Sequence, residues 1–414
     1  MLIPSSQSRI EIIDILRGFT LLGIIIVHFS EQYYAGAHPK SHANFNVHFL
    51  GDEIIMGFIG VLISGKFFMI FSFLFGLSFF LQLSKNDATI SFFFRFFWRL
   101  VILGVIGFFH HLHYRGDILT IYAMLGVGLL VAYKLPDKLL LIVALVLVIN
   151  IPSVIVRSIE ALQPVAEQES IESKFGGSNE ENEIYYATVK KGSYVEVLKA
   201  NLGEFGFKHK FQVASGRIYI TLGLFLLGLY MGRKRVFERW VENLPSFKKF
   251  LKQSLWLILG LVIFSVFFFG GAEGLGIKMP EIVVWLVGGF VFDVFNLALA
   301  VIYVTGIILL FQKEKWKSRL MNFYEVGRMG LTTYLMQTLF GILIFFGIGF
   351  GLLGEIGALA SVGIGIALFI VQVYFSKWWL ARFRYGIFEW LWRCATYLKW
   401  QPFMRSSSLL LKAD

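Results

Sequence analysis

The sequence predicts an all-α polytopic membrane protein with about ten transmembrane helices and both termini cytoplasmic. Three observations carry this. Mean hydropathy is +0.70, and 57% of the 414 residues are hydrophobic while 16% are charged, against about a quarter in soluble chains. Apolar runs of about 20 residues recur, the length that spans the hydrocarbon of a bilayer as a helix. The runs are continuous rather than short and alternating, which disfavours a β-barrel.

The net charge of +11 does not indicate nucleic acid as a partner, because the basic residues sit in the gaps between apolar runs. One cysteine, Cys394, excludes an internal disulfide and a cysteine-rich metal site. No small-residue cleavage site follows the first run, which therefore reads as an uncleaved anchor.

Spans are expected near 12–29, 66–84, 96–113, 116–134, 138–156, 214–232, 251–271, 283–311, 329–353 and 356–376. Lys85, Arg95, Arg99, Lys134 and Lys138 flank the second and fourth gaps, and Arg233–Lys252 and Lys313–Arg328 fill the sixth and eighth. These connections share one side, which the distribution of Lys and Arg makes cytoplasmic. The chain reads as one helical membrane domain, 1–414, with an extracytoplasmic insertion at 158–213 and a C-terminal region at 214–400. The insertion is a solvated loop carrying one or two surface helices, or a lid over an outward-facing site.

The first span, EIIDILRGFTLLGIIIVHFS, carries Asp14, Arg17 and His28. Ionisable groups at membrane depth pair, line a cavity or do chemistry. Arg17 and His28 lie on one helix face, roughly 16 Å apart along the axis. Asp14 is close enough to pair with Arg17. The outer end of the third span, FFHHLHYRGDIL, gathers His110, His111, His113, Arg115 and Asp117. They are either an interfacial loop or a rim beside His28, where a histidine held by a carboxylate is a general base.

Residues 54–64 are too short to span and lie in the interface or re-enter. His38, His42 and His48 have loose spacing and no completing acid or cysteine, so no metal site is predicted. Asp293 and Asn296 share a face of the eighth span and serve either an interhelical hydrogen bond or an ion path. The ninth opens with Arg328, Thr332 and Gln337. KWWLARFRYGIFEWLWR at 377–393 reads as an interfacial anchor, with Glu389 and Arg393 as an i,i+4 pair. GIGFG at 347–351 is a packing or kink feature. No phosphate-loop, hydrolase-elbow, zinc-protease or dinucleotide fingerprint stands in a fitting context.

Six stretches resemble the YeiB-like family of bacterial membrane proteins, named for a domain of unknown function. They are IDILRGFTLLGIIIV (13–27), GKFFMIFSFLFGLSF (65–79), GDILTIYAMLG (116–126), FLLGLYMGRKRVF (225–237), VGRMGLTTYLMQT (326–338) and YGIFEWLWRCATY (385–397). More distantly the chain resembles the transmembrane acyltransferases, whose type three members carry an Arg, ten residues and a His in the first helix. Arg17 and His28 match that spacing. This resemblance implies a plasma-membrane O-acyltransferase that moves an acyl group, typically acetyl, from cytoplasmic acyl-coenzyme A to a glycan or other extracytoplasmic hydroxyl acceptor. His28 is then the base, with His110, His111 and Asp117 on the acceptor side. Arg17 steadies the donor, with Asp14 and Arg328 beside it. The rival classes are a small-molecule or proton-coupled transporter and a non-catalytic membrane protein.

Overall fold

Helix α1 (Glu11–Ser30) is buried on nearly every side: Ile12, Ile15, Leu16, Leu21, Ile25 and Phe29 all lie inside the protein. A helix apolar all round belongs in an interior, and the rest of the chain wraps it. The computed structural model describes residues 10–84, 89–161 and 178–405, and these are helical apart from loops and one isolated bridge. Most of the acidic segment of the predicted insertion, 162–177, lies outside the described residues.

After α1 come α2 (Leu50–Leu62), α3 (Lys66–Leu83), α4 (Ile90–His113) and α5 (Leu119–Ala132). Next are α6 (Asp137–Val148), α7 (Ile151–Ala161), α8 (Asn179–Lys191), α9 (Tyr194–Gly203), α10 (Phe205–Ala214) and α11 (Arg217–Arg233). The remaining longer helices are α12 (Leu244–Ser265), α13 (Gly289–Phe311), α14 (Glu314–Leu320), α15 (Asn322–Arg328), α16 (Gly330–Phe345), α17 (Ala358–Arg382) and α18 (Ile387–Tyr397), with short helical and π-helical turns at 266–274 and 281–288 between α12 and α13. Among the described residues, six helices are long and apolar enough to cross a membrane, or up to eight if each bent pair is one span.

Each predicted span has a helix at its position, with revisions that follow from local chemistry. The predicted fifth span breaks at Asn150, whose φ of +63° is a left-handed conformation that ends a helix; α6 and α7 meet there at 46°. The predicted ninth stops at Phe345, because glycines at 347, 349, 351 and 354 favour loop over helix. Helix α5 is only 14 residues long. Helix α2 passes through Gly65 (φ +87°) into α3, so the segment 54–64 is not a separate short element but the first part of one 34-residue apolar stretch from Leu50 to Leu83. Helix α12 shows Leu255, Trp256, Leu259, Val262 and Ile263 to the exterior, as a helix facing lipid does.

Small residues let backbones meet around α1. A Cβ on Gly18 would stand 2.0 Å from the Phe323 carbonyl oxygen, and one on Gly327 1.8 Å from that of Asp14. This clamps α15 to the start of α1. At the other end, Gln32 donates to the Ile356 carbonyl at 2.6 Å and to Ser361 Oγ at 3.0 Å, and accepts from Gly354 N at 2.7 Å. Helices α8 and α9 each begin with a capping box, Ser178–Glu181 and Ser193–Glu196, which satisfies the first amides of both. Helices α8 to α10 then pack over the His110 end of the bundle: His111 accepts or donates through α9 and α10, and Tyr185 of α8 hydrogen-bonds Asn201 of α9 at 2.8 Å.

Candidate functional site

A cavity of about 360 Å³ runs between α1, α3, α4, α5, α16 and α18. It is polar at one end and apolar along its length. The polar end is built from the first half of α1, the last turns of α3, the first half of α4, and α18. There Arg17 donates to Asp14 Oδ1 at 2.5 Å and to Ser78 Oγ at 2.5 Å. Arg99 stacks over the Trp392 ring at 3.8 Å, and Arg393 lies 5.1 Å from the Tyr385 ring. Arg328 and Glu389 complete the lining. Aromatic faces accommodate guanidinium groups while leaving their edges available to an anion.

Glu389 does not pair with Arg393 as an i,i+4 partner. Its carboxylate accepts from Leu331 N (2.6 Å), Thr332 N (3.0 Å) and Thr332 Oγ1 (2.5 Å). It thus satisfies the first amides of α16 from a neighbouring helix. Burial pushes this carboxyl above its ordinary range, and the Thr332 bonds oppose the shift.

Along its length the cavity is lined by Phe71, Leu74, Phe75, Phe79, Leu100 and Leu103, with Ile24 of α1 beside them. Residues 71, 74, 75, 78, 79 and 82 of α3 share one face by helical spacing. Tyr122 borders this apolar section, but its hydroxyl is already engaged by Ser72 Oγ at 2.6 Å and the Phe68 carbonyl at 3.2 Å.

Tyr334 stands at the far end of the cavity. Its ring centroid lies 5.0 Å from that of His110 and 6.4 Å from that of His28. His28 Nδ1 meets the Tyr114 hydroxyl at 2.5 Å, and the His28 ring stacks on Tyr33. Tyr33 is delivered by a backbone reversal with φ of +50° at Gln32, +57° at Tyr33 and +49° at Ala35. Left-handed non-glycine residues are costly and persist where the surroundings fix them, here by the buried Gln32 and Tyr33 side chains. His110 donates from Nδ1 to Asp117 Oδ1 (2.8 Å), which leaves Nε2 to accept from Thr338 Oγ1 (2.9 Å). Asp117 also accepts from Leu119 N, Thr120 N, Thr120 Oγ1 and Lys208 Nζ.

The predicted site residues therefore divide. Arg17 and Arg328 line the cavity, and Asp14 touches it through Arg17. His28, His110 and Asp117 gather around Tyr334 and Tyr114, beyond the lining. His111 faces away, with Nε2 on the Asn201 carbonyl at 2.8 Å and Nδ1 on Lys208 at 3.3 Å. Arg99, Arg393, Tyr114, Tyr334 and Lys208 were not singled out from sequence as site residues. Arg99 and Arg393 carry topology signals that conceal a cavity role, and tyrosines are unremarkable in a chain so rich in aromatics.

Among the histidines of the α1–α2 connection, His38 is sandwiched by Tyr34 and Phe45, and burial with the nearby Arg115 charge lowers it to about 4. His42 stacks on Tyr186, and His48 meets the Phe45 carbonyl. A separate polar junction forms where two bent helix pairs meet. Asn150, at the α6–α7 break, donates to Asp293 Oδ2 at 2.8 Å. A Cβ on Gly216, at the 73° α10–α11 break, would stand 2.3 Å from the Asn150 amide nitrogen.

Residues 231–399 match the family described as protein of unknown function DUF418. The chain is 31% identical to the uncharacterized protein YxaH of Bacillus subtilis over 421 residues, covering 98% of both chains. It is 25% identical to an uncharacterized 39.9 kDa protein encoded in the amylase 3' region of Bacillus acidopullulyticus, covering 96% of both. Over 71 residues, 17% of this chain and 18% of the other, it is 41% identical to the uncharacterized protein YeiB of Escherichia coli. No solved structure matches.

Proposed function

Because the chain belongs to the YeiB-like family of unknown function, we propose its activity from the site itself: a membrane O-acyltransferase. It moves an acyl group, such as acetyl, from cytoplasmic acyl-coenzyme A to a hydroxyl on an envelope glycan or another extracytoplasmic acceptor. The setting is the bacterial plasma membrane, with about ten spans and both termini cytoplasmic. The observation that supports this reading is the cavity lined by Arg17 and Tyr334, together with the packing of the Tyr334 ring against the rings of His28 and His110 behind it.

In this reading the arginine end takes the donor's phosphates, since guanidinium forks match phosphate oxygens. The acceptor hydroxyl oxygen attacks the thioester carbonyl carbon while its proton passes to His28 Nε2. Tyr114 holds His28 through Nδ1. Tyr334 Oη, buried beside the Ile118 backbone with its O–H free to donate, is a donor for the developing oxyanion. The C–S bond then breaks, and the thiolate takes the proton back from His28. His110, fixed by Asp117 and Thr338, supports Tyr334 from behind rather than reacting. His111, turned toward α9 and α10, has no part in the step.

The test is acetyl-coenzyme A turnover by purified protein, with and without an added glycan. His28→Ala is expected to lower kcat by at least about 100-fold, and Arg17→Ala to raise KM for the donor. Turnover unchanged in both variants would remove this reading. The transporter alternative is favoured by the meeting of two broken helices at Asn150, Gly216 and Asp293, since discontinuous helices often frame transport sites. Proteoliposome uptake abolished by Asp293→Asn would establish it instead.

A further inference from the structure

We propose that the same cavity binds a phosphate monoester of a long hydrocarbon chain, with the phosphate among Arg17, Arg99, Arg328 and Arg393 and the chain along the aromatic face of α3. This goes beyond the acyl-transfer reading, because such a lipid would exclude a coenzyme A donor from the same space.

Charge comes first. The lining holds four guanidinium groups and one carboxylate, Glu389, whose oxygens are committed to α16. Asp14 offsets Arg17 from outside the lining. Among the described residues neither Arg99 nor Arg393 has a carboxylate at ion-pair distance; both rest on aromatic rings, and Arg393 Nε is buried with no hydrogen-bond partner. A small adjoining pocket shares Gln82, Phe96 and Arg99 and adds Arg95. Arg99 and Arg393, which lack a carboxylate at ion-pair distance among the described residues, are stabilised by an anion, and a phosphate monoester presents several oxygens to the donor forks.

The chain's place follows from what the apolar section lacks. From Ser78 back to Phe68 along α3 is about 15 Å. Ile24, Phe71, Leu74, Phe75, Leu100 and Leu103 offer no polar side-chain atom there, and the Tyr122 hydroxyl is already engaged. A hydrocarbon chain buries nothing polar and gains the contact.

The experiment is native mass spectrometry and thermal shift of the detergent-solubilised full chain with dodecyl phosphate. Inorganic phosphate tests the head alone, dodecanol the chain alone, and coenzyme A the competing donor. Dodecyl phosphate is expected to bind at least tenfold more tightly than either half-ligand and to be displaced by coenzyme A. Arg99→Gln with Arg393→Gln should weaken it at least tenfold. Leu74→Trp, which fills the apolar section, should weaken it while leaving inorganic phosphate unaffected. Inorganic phosphate binding as tightly as dodecyl phosphate would show a free-anion site and overturn the proposal. So would affinity unchanged in every variant that keeps the parent melting temperature. Because binding is read without turnover, dodecyl phosphate capture in a protein inactive on acetyl-coenzyme A would uphold this inference while removing the acyltransferase. Turnover of acetyl-coenzyme A without dodecyl phosphate binding would do the reverse.

Discussion

Asp117 bears more of the site than any other single residue. It fixes the His110 tautomer, starts α5 and meets the buried ammonium of Lys208 at 3.3 Å. Removing one partner of a buried charge pair strands the other, at about 3 kcal/mol or more. Asp117→Asn is therefore expected to lower the melting temperature and to loosen α10, read as faster hydrogen exchange over 205–214. His38 sets a pH dependence outside the spans. Its pKa falls from 6.5 to about 4 on folding, first through burial and then through Arg115. The unfolded chain thus binds more protons between those values, and stability is lost as pH drops from 6.5 toward 4. His38→Phe should flatten the slope of melting temperature against pH in that window. At this scale the sequence revealed Arg17, His28, His110 and Asp117, because ionisable groups are rare in apolar segments. It could not separate His110 from His111, since adjacent helical residues point about 100° apart and only the neighbours decide which one faces the site.

Elements were legible as apolar runs, and their interruptions were not. The breaks at Gly65, Asn150 and Gly216 depend on left-handed residues that the apolar pattern runs straight through. Helix α18 was legible as an interfacial amphipathic segment, yet its function as one wall of the cavity arises from Glu389 reaching α16 and Trp392 donating to the Arg99 carbonyl at 2.9 Å. Loss of the Glu389 acceptors leaves the first amides of α16 unsatisfied at the cavity rim. Glu389→Ala is expected to cost about 1–2 kcal/mol, the range of a lost helix cap, and Glu389→Gln less, because an acceptor oxygen remains. Hydrogen exchange at Leu331 and Thr332 checks both, and unchanged exchange in Glu389→Ala would show that α18 holds its place without the cap.

For the whole molecule, the distribution of Lys and Arg predicts which side each connection faces. The single cysteine makes a test direct. In a Cys394→Ser background, Lys313→Cys is expected to react with an impermeant maleimide only after the cells are opened. Glu355→Cys, whose native side chain is 62% exposed, should react in intact cells. Reversal of the two would invert the topology and move the arginine end away from cytoplasmic coenzyme A.

By itself the sequence determined the apolar character, the helical class and the positions of the apolar helices, because hydrocarbon demands long apolar helices and tolerates little else. It also exposed one helix with an arginine and a histidine on a common face. Tertiary structure alone decided what that face looks onto. A cavity, an arginine cluster and a histidine–carboxylate pair are formed by residues distant in the chain, whose pairing is set by close-packed glycines, broken helices and buried hydrogen bonds that leave no periodic trace in sequence.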